Sequence, residues 1–400
     1  MSHLMNTYAR LPVAFERGEG VWLWDTAGKK YLDALAGVAV CGLGHAHPRV
    51  TAALRDQAGT LVHTSNIYRI VAQEQLADRL AALSGMDNVF FCNSGLEANE
   101  AAIKLARLYG HKKGVESPAI IVMDKAFHGR SIATLSATGS RKVQAGFEPL
   151  VSGFVRVPFD DLEAVKRVAA NNHNVVAVLV ELIQGEGGVQ VCQEGYLQGL
   201  RSICDANGWL LMLDEVQSGI GRTGTWFAFQ HSRVKPDVMT LAKGLANGVP
   251  IGACLARGVA SSLFKPGSHG STFGGNPLAC RAALETLAVI EHEGLMQNAV
   301  AIGDAIRSGL AQRLSRVSGV KDIRGQGLMI GLELNQPCSE IVTRALEAGL
   351  LVNVTADTVV RLLPPLIYTR ENVGLLVDTL APLVADFLAK PAAAQVASSA

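Results

Sequence analysis

The 400-residue sequence predicts an α/β fold: a mostly parallel central sheet flanked by helices, with a smaller α+β domain contributed by both termini. Three observations carry this. Short, continuous apolar runs recur through the middle of the chain, amphipathic stretches alternate with them, and both flanks change to other patterns.

The N-terminal flank, residues 1–50, is rich in glycine and short alternations, and VWLWDTAGKKYLDAL reads as a hairpin around Ala27-Gly28. The apolar runs follow: VFFC at 89–92, AIIVM at 119–123, VVAVLV at 175–180, WLLML at 209–213, DVMTLA at 237–242 and IGACLA at 251–256. Unbroken Val/Ile/Leu runs of this length suit strands buried on both faces, the habit of parallel sheets. Between them, EANEAAIKLARLYG and YLQGLRSICDANG have helical periodicity and each ends in a glycine suited to a C-cap. From about 277 onward the periodicity is helical over longer stretches, until DIRGQGLMIGLEL gives another hairpin-like pair. The expected organisation is an N-terminal segment of the small domain over 1–50, a large α/β domain over 51–276, and the rest of the small domain over 277–400. The closing KPAAAQVASSA is small and polar, and is expected to fray.

Composition narrows the function. The chain is 49% hydrophobic and 18% charged, which excludes disorder, and its net charge of +1 gives no reason to expect nucleic acid or a membrane surface as partner. The N-terminus has no basic region followed by an apolar run, and no stretch approaches the roughly 18 uninterrupted apolar residues of a spanning helix. Seven cysteines, odd in number and without a C-x-x-C pair, read as reduced thiols and point to the cytoplasm. The expected ligand is a small molecule.

Four segments could carry chemistry. In CNSGLEANE, Ser94 and Glu97 match a capping box, and the same helix start, behind a buried strand, could receive a phosphate on the amides of Gly95 and Leu96. In LLMLDEVQSGIGRTG, an apolar strand delivers Asp214 and Glu215 at its end, either as a cap or turn or as the partner of a cation. No His or acid cluster at metal spacing accompanies them, so no metal is expected. The G-x-G-x-x-G of Gly219–Gly224 is a decoy, because DEVQS separates it from its strand and no amphipathic helix follows. In DVMTLAKGLANGVPIGA, Lys243 ends an apolar strand, suiting either a buried ion pair or a desolvated amine that attacks a carbonyl; Gly244 and Gly248 leave room for an adduct. In KAFHGRS, Phe127 offers a flat face and Arg130 a carboxylate fork, against the plainer readings of a core aromatic and a surface salt bridge. His128 is as well explained by a core position as by a catalytic one.

These motifs, together with LGHAHP, VELIQGEGGV, GSTFGGNPLAC and RGQGLMIGLEL, resemble class III aminotransferases of the pyridoxal 5'-phosphate fold-type I architecture, from about Leu11 to about Leu380. The resemblance implies that Lys243 binds the cofactor aldehyde as a Schiff base, Asp214 pairs with the pyridinium nitrogen and Gln217 contacts the phenolic oxygen. It implies that Phe127 stacks on the ring beside His128, and that Ser94, Gly95 and Leu96 hold the phosphate. Thr272 would reach the phosphate of a partner subunit, making the protein a homodimer with shared sites. For substrate, Arg130 and Ser271 resemble carboxylate- and substrate-contacting residues of enzymes acting on acetylornithine, with 2-oxoglutarate as the second substrate. Glu186 looks like the glutamate that covers a second arginine, here Arg361, until the oxo acid arrives. Val38 stands where enzymes for free ornithine carry tyrosine. The pattern is departed from at Leu96, for Thr or Ala; at Leu182, for proline; and at LLPPL, for A-P-S-L. Succinylornithine, ornithine or 4-aminobutyrate are alternative amines. A nucleotide-binding oxidoreductase and an inactive binding module of the same fold are the competing classes.

Overall fold

The computed structural model describes residues 3–389; the tail expected to fray, 390–400, lies outside the described residues. Seven strands form the central sheet: β1 (Asn88–Cys92), β2 (Ala119–Met123), β3 (Phe154–Val157), β4 (Val175–Val180), β5 (Leu210–Asp214), β6 (Val238–Leu241) and β7 (Gly252–Ala256), in the order β1-β7-β6-β5-β4-β2-β3. Six of the seven were the apolar runs. The exception is β3, whose FVRV carries a charge and is only partly buried, as an edge strand allows. Strands β3, β2, β4, β5 and β6 run parallel, whereas β7 is antiparallel to both β6 and β1.

Residues of β2, β4 and β5 are buried along their whole length, because helices cover both faces of the sheet. The helix following β1, here α1 (Gly95–Lys112), packs on it and continues two residues past Gly110, the expected stop. The helix Tyr196–Asn207 ends at Gly208, in the left-handed conformation foreseen for it.

The flanks fold together. Trp22–Asp25 and Lys30–Asp33 form the expected antiparallel hairpin, Phe15–Glu19 adds to one edge, and Leu350–Leu351 pairs parallel with Lys30–Asp33. Val320–Gln326 and Met329–Leu334 form the second expected hairpin, in a four-stranded sheet with Asn353–Thr355 and Val359–Leu362. The helix Arg370–Ala389 is long and apolar enough to cross a membrane by length and composition. It is interrupted by Asp378 and Asp386, and Leu376, Leu380, Val384 and Phe387 are buried in the protein core.

Candidate active site

The carboxyl ends of β1, β2, β4, β5 and β6 converge on a cavity of about 390 Å³, within the ordinary range of small-molecule sites. Ser94, Gly95, Leu96, Phe127, His128, Arg130, Glu186, Asp214, Gln217 and Lys243 all line it.

Asp214 ends β5 and is buried in a network of donors. Its Oδ2 accepts from Asn99 Nδ2 at 2.7 Å and lies 2.7 Å from His128 Nδ1, while Oδ1 accepts from the Val216 amide at 3.0 Å. Thr240 Oγ donates to Asn99 Oδ1 at 2.8 Å, so strand β6 and helix α1 both orient the carboxylate. His128 is therefore a core residue and a partner of the site acid at once; its Nε2 is buried with no hydrogen-bond partner. Glu215, the neighbouring acid, turns away and accepts from the amides of Ala228 and Phe229 and the Ser218 hydroxyl.

At the head of α1, Ser94 caps through a bond from the Glu97 amide at 3.2 Å, and the Glu97 carboxylate accepts in return from the Asn93 amide at 2.7 Å and from the Ser94 hydroxyl at 3.2 Å. Gly95 and Leu96 fall in the first turn, whose amides have no intrahelical acceptor. A Cβ on Gly95 would lie 2.6 Å from Val216, so only glycine lets the helix start approach the loop after Asp214.

Lys243 follows β6 with φ +44°, a left-handed backbone uncommon for a side-chain-bearing residue. Burial, aided by the Arg361 charge, lowers its amine from 10.5 to about 8 against the opposing pull of Glu186, Asp214 and Glu181. Arg361 is buried and donates to Glu186 at 2.7 Å and to Gln217 at 3.3 Å, and Glu186 remains half-exposed at the cavity. Arg130 stands at the exposed rim, 5.8 Å from the centre of the Phe127 ring.

Four expected residues lie outside the lining: Arg361, buried beneath Glu186, together with Val38, Ser271 and Thr272. Val38 packs in a small apolar cluster with Ile183, Val189, Met329 and Leu363, and its neighbour Val40 faces the cavity instead. Ser271 reaches the cavity only through Asn93, whose Nδ2 donates to its hydroxyl at 3.2 Å, and Thr272 is exposed. Two residues were missed. Glu181 directly follows β4 much as Asp214 ends β5, a parallel that could have revealed it, whereas Asn99 lies inside a helix and gives no such signal. In the segment Gly219–Gly224, Arg222 is buried and its guanidinium donates to the carbonyls of Leu328 and Pro364.

A buried carboxylate, an amine with a depressed pKa, an aromatic face and a helix N-terminus suit the ring nitrogen, aldehyde, ring and phosphate of pyridoxal 5'-phosphate. The donor set fits that group, and among the described residues no His/Cys/Asp/Glu cluster could hold a metal.

Comparison with known proteins points the same way. The acetylornithine aminotransferase of Nitrosomonas europaea is 65% identical over 388 residues, covering 97% of this chain and 99% of that protein. Among solved structures, the ornithine aminotransferase of Toxoplasma gondii superposes with a TM-score of 0.93 at 36% identity, covering 96% of this chain and 93% of that one. The N-acetylornithine aminotransferase of Stenotrophomonas maltophilia gives 0.83, also at 36% identity, over 96% and 98% of the two chains. The aminotransferase class-III family matches residues 4–384, and the chain belongs to that family.

Proposed function

We propose that the chain moves the δ-amino group of N2-acetylornithine to 2-oxoglutarate, giving N-acetylglutamate 5-semialdehyde and glutamate, as a step of arginine biosynthesis. The observation that carries the reading is Lys243 and Asp214 lining one cavity with a carboxylate fork, Arg130, at its rim and a second arginine, Arg361, beneath a carboxylate. The name of the relative at 65% identity supports the choice of amine.

Pyridoxal 5'-phosphate, when bound, supplies an electron sink for the carbanion left when the substrate loses a proton. Asp214, oriented by Asn99 and His128, would pair with the ring nitrogen and favour its protonated form. Lys243 Nζ, as a free amine, would take the proton from the substrate carbon and give it to the cofactor's former aldehyde carbon; an amine with a pKa of about 8 exists in both forms near neutral pH. Of the residues lining the cavity, Phe127 would support the ring face, Gln217 would face its phenolic oxygen, and Ser94 with the amides of Gly95 and Leu96 would hold the phosphate. Arg130 grips the substrate carboxylate. Glu186 covers Arg361 during the amine half-reaction and gives way when the oxo acid brings its own carboxylate.

The protein acts as a homodimer in which Thr272 reaches the partner's phosphate site and Ser271 the substrate. Support comes from exposed apolar side chains near those two residues in sequence or contact: the His63 and Phe273 rings lie 5.3 Å apart and tilted, Asn66 donates to the carbonyls of Ser271 and Gly274, and Ile67, Tyr68, Val71 and Phe273 are exposed. The seven unpaired cysteines support a reducing cytoplasm. The sheets support boundaries near 50 and 276, since every strand of the seven-stranded sheet lies between them.

The deciding experiment compares kcat/KM for acetylornithine, succinylornithine, ornithine and 4-aminobutyrate on purified enzyme. Acetylornithine is expected to lead, and free ornithine to be poor, since Val38 stands where the similar enzymes for free ornithine carry tyrosine. Near-inactivity on acetylornithine would reject the proposal.

A further inference from the structure

Of the three carboxylates lining the cavity, Asp214 and Glu181 are buried, which is expensive, and Glu181 has no place in the chemistry above. It is 6% exposed, lies at the carboxyl end of β4 and lines the cavity with Asp214. Both of its oxygens are committed to backbone amides rather than to a cation. Oε1 accepts from the Phe127 amide at 2.6 Å, and Oε2 accepts from the Gly185 amide at 3.1 Å. Those amides belong to different loops. One carries the aromatic ring beside His128, and the other precedes Glu186, the carboxylate paired with Arg361.

We propose that Glu181 is a positioning residue that fastens the Phe127 loop to the Gly185–Glu186 loop, so that the support of the cofactor ring and the cover over Arg361 are set by one carboxylate. The assignment rests on the function proposed above.

The local packing favours this role. Gln184, beside the second loop, donates from Nε2 to the carbonyl of Asp124 at 2.8 Å, a further tie between the same two loops. A Cβ on Gly185 would lie 2.4 Å from the Gln217 side chain, which itself accepts from Arg361. A shift of Gly185 therefore disturbs the contact facing the cofactor and the one facing the oxo acid together. The two amides favour the ionised form of a carboxylate of this length, against the burial that raises its pKa. A glutamine has one acceptor oxygen, and its amino group would confront whichever N–H it does not serve.

The test separates loop fastening from turnover. Hydrogen exchange at the Phe127 and Gly185 amides is measured on the full chain with and without cofactor. Both should exchange slowly in the wild type; fast exchange at either overturns the proposal, whether or not any variant folds. In Glu181→Gln, exchange at one or both should rise about tenfold or more, the scale of a lost bond to a charged group, while the amides of β4 stay protected. In the loaded variant the circular dichroism of the bound cofactor should weaken and KM for 2-oxoglutarate should change about tenfold. Loosened amides with unchanged dichroism and KM would reduce Glu181 to a structural acid and reject its role. Inactivity of the wild type on acetylornithine would instead reject the function while leaving the exchange result standing.

Discussion

Lys243 is held in two unfavourable states at once, a desolvated amine and a left-handed backbone. Strain of this kind persists where surrounding structure over-determines a residue, and here it aims the amine into the cavity. Lys243→Ala should lower turnover by orders of magnitude while the melting profile stays cooperative, because the group that binds the cofactor and moves the proton is gone. Near-normal turnover would refute the assignment. Lys243→Gly removes the same amine and should be more stable than Lys243→Ala by about 1 kcal/mol, the left-handed penalty less the extra freedom of glycine in the unfolded chain. Equal denaturant midpoints would mean that the backbone there is relaxed. Glu186→Gln makes a different prediction, since it weakens the bond that 2-oxoglutarate must break. KM for the oxo acid should fall several-fold and KM for the amine donor should rise, the buried Arg361 being uncovered in both half-reactions. Parallel changes in both KM values would show that the pair is static.

Elements ending in the cavity were legible in the sequence to the extent that their chemistry is local. A continuous apolar run followed by Asp214 or Lys243 reveals both a buried strand and an anomaly at its end, and both are visible without tertiary information. Strand direction is not, which is why β7 gives no sign of opposing its neighbours. Nor could any pattern reveal Ala36–Ala39, where φ is +50°, +62°, +66° and +64° in succession. The turn closes on itself, with the Ala39 amide donating to Leu35 O at 3.0 Å and that of Val40 to Ala36 O at 2.8 Å, and Asp33 fixes its entry by accepting from the amides of Leu35 and Ala36. Only tertiary contacts can hold a β-branched residue such as Val38 there. The turn's effect is to put Val40 on the cavity and Val38 against Ile183 and Leu363. Gly37 carries the conformation without strain, and a Cβ at that position would meet Val40 at an ordinary 3.6 Å. Gly37→Ala should therefore cost about 1 kcal/mol through backbone strain alone, and relief of that strain by movement of the turn, not a clash, should raise KM by shifting Val40. A neutral effect on both would mean that the turn neither stores strain nor positions the lining.

At the scale of the whole molecule, Asp33 and His45 tie together parts of the chain far apart in sequence. His45 exchanges two backbone bonds with Gly20, at 2.9 and 2.7 Å, its ring lies 2.8 Å from Asp33 Oδ2, and the Tyr368 hydroxyl donates to the Asp33 carbonyl at 3.0 Å from just ahead of the C-terminal helix. Burial works against a charged His45, yet the bond to Asp33, with a smaller contribution from Cys41, raises its pKa from 6.5 to about 9. The folded state thus holds a proton that the unfolded chain releases above 6.5. The stabilisation is complete below pH 6.5 and is lost as the pH rises through about 9. Lys243 slopes the other way in the cofactor-free protein: with its value lowered to about 8, folding grows more favourable from there to about 10.5. The comparison that isolates the tie is wild type against His45→Gln, each unfolded in urea across this range with cofactor absent. The variant should be clearly less stable at pH 6 and the gap should narrow by pH 10, while the Lys243 contribution cancels between the two. A gap that stays constant with pH would mean that His45 holds the termini by shape and neutral hydrogen bonding, with no charge on the ring.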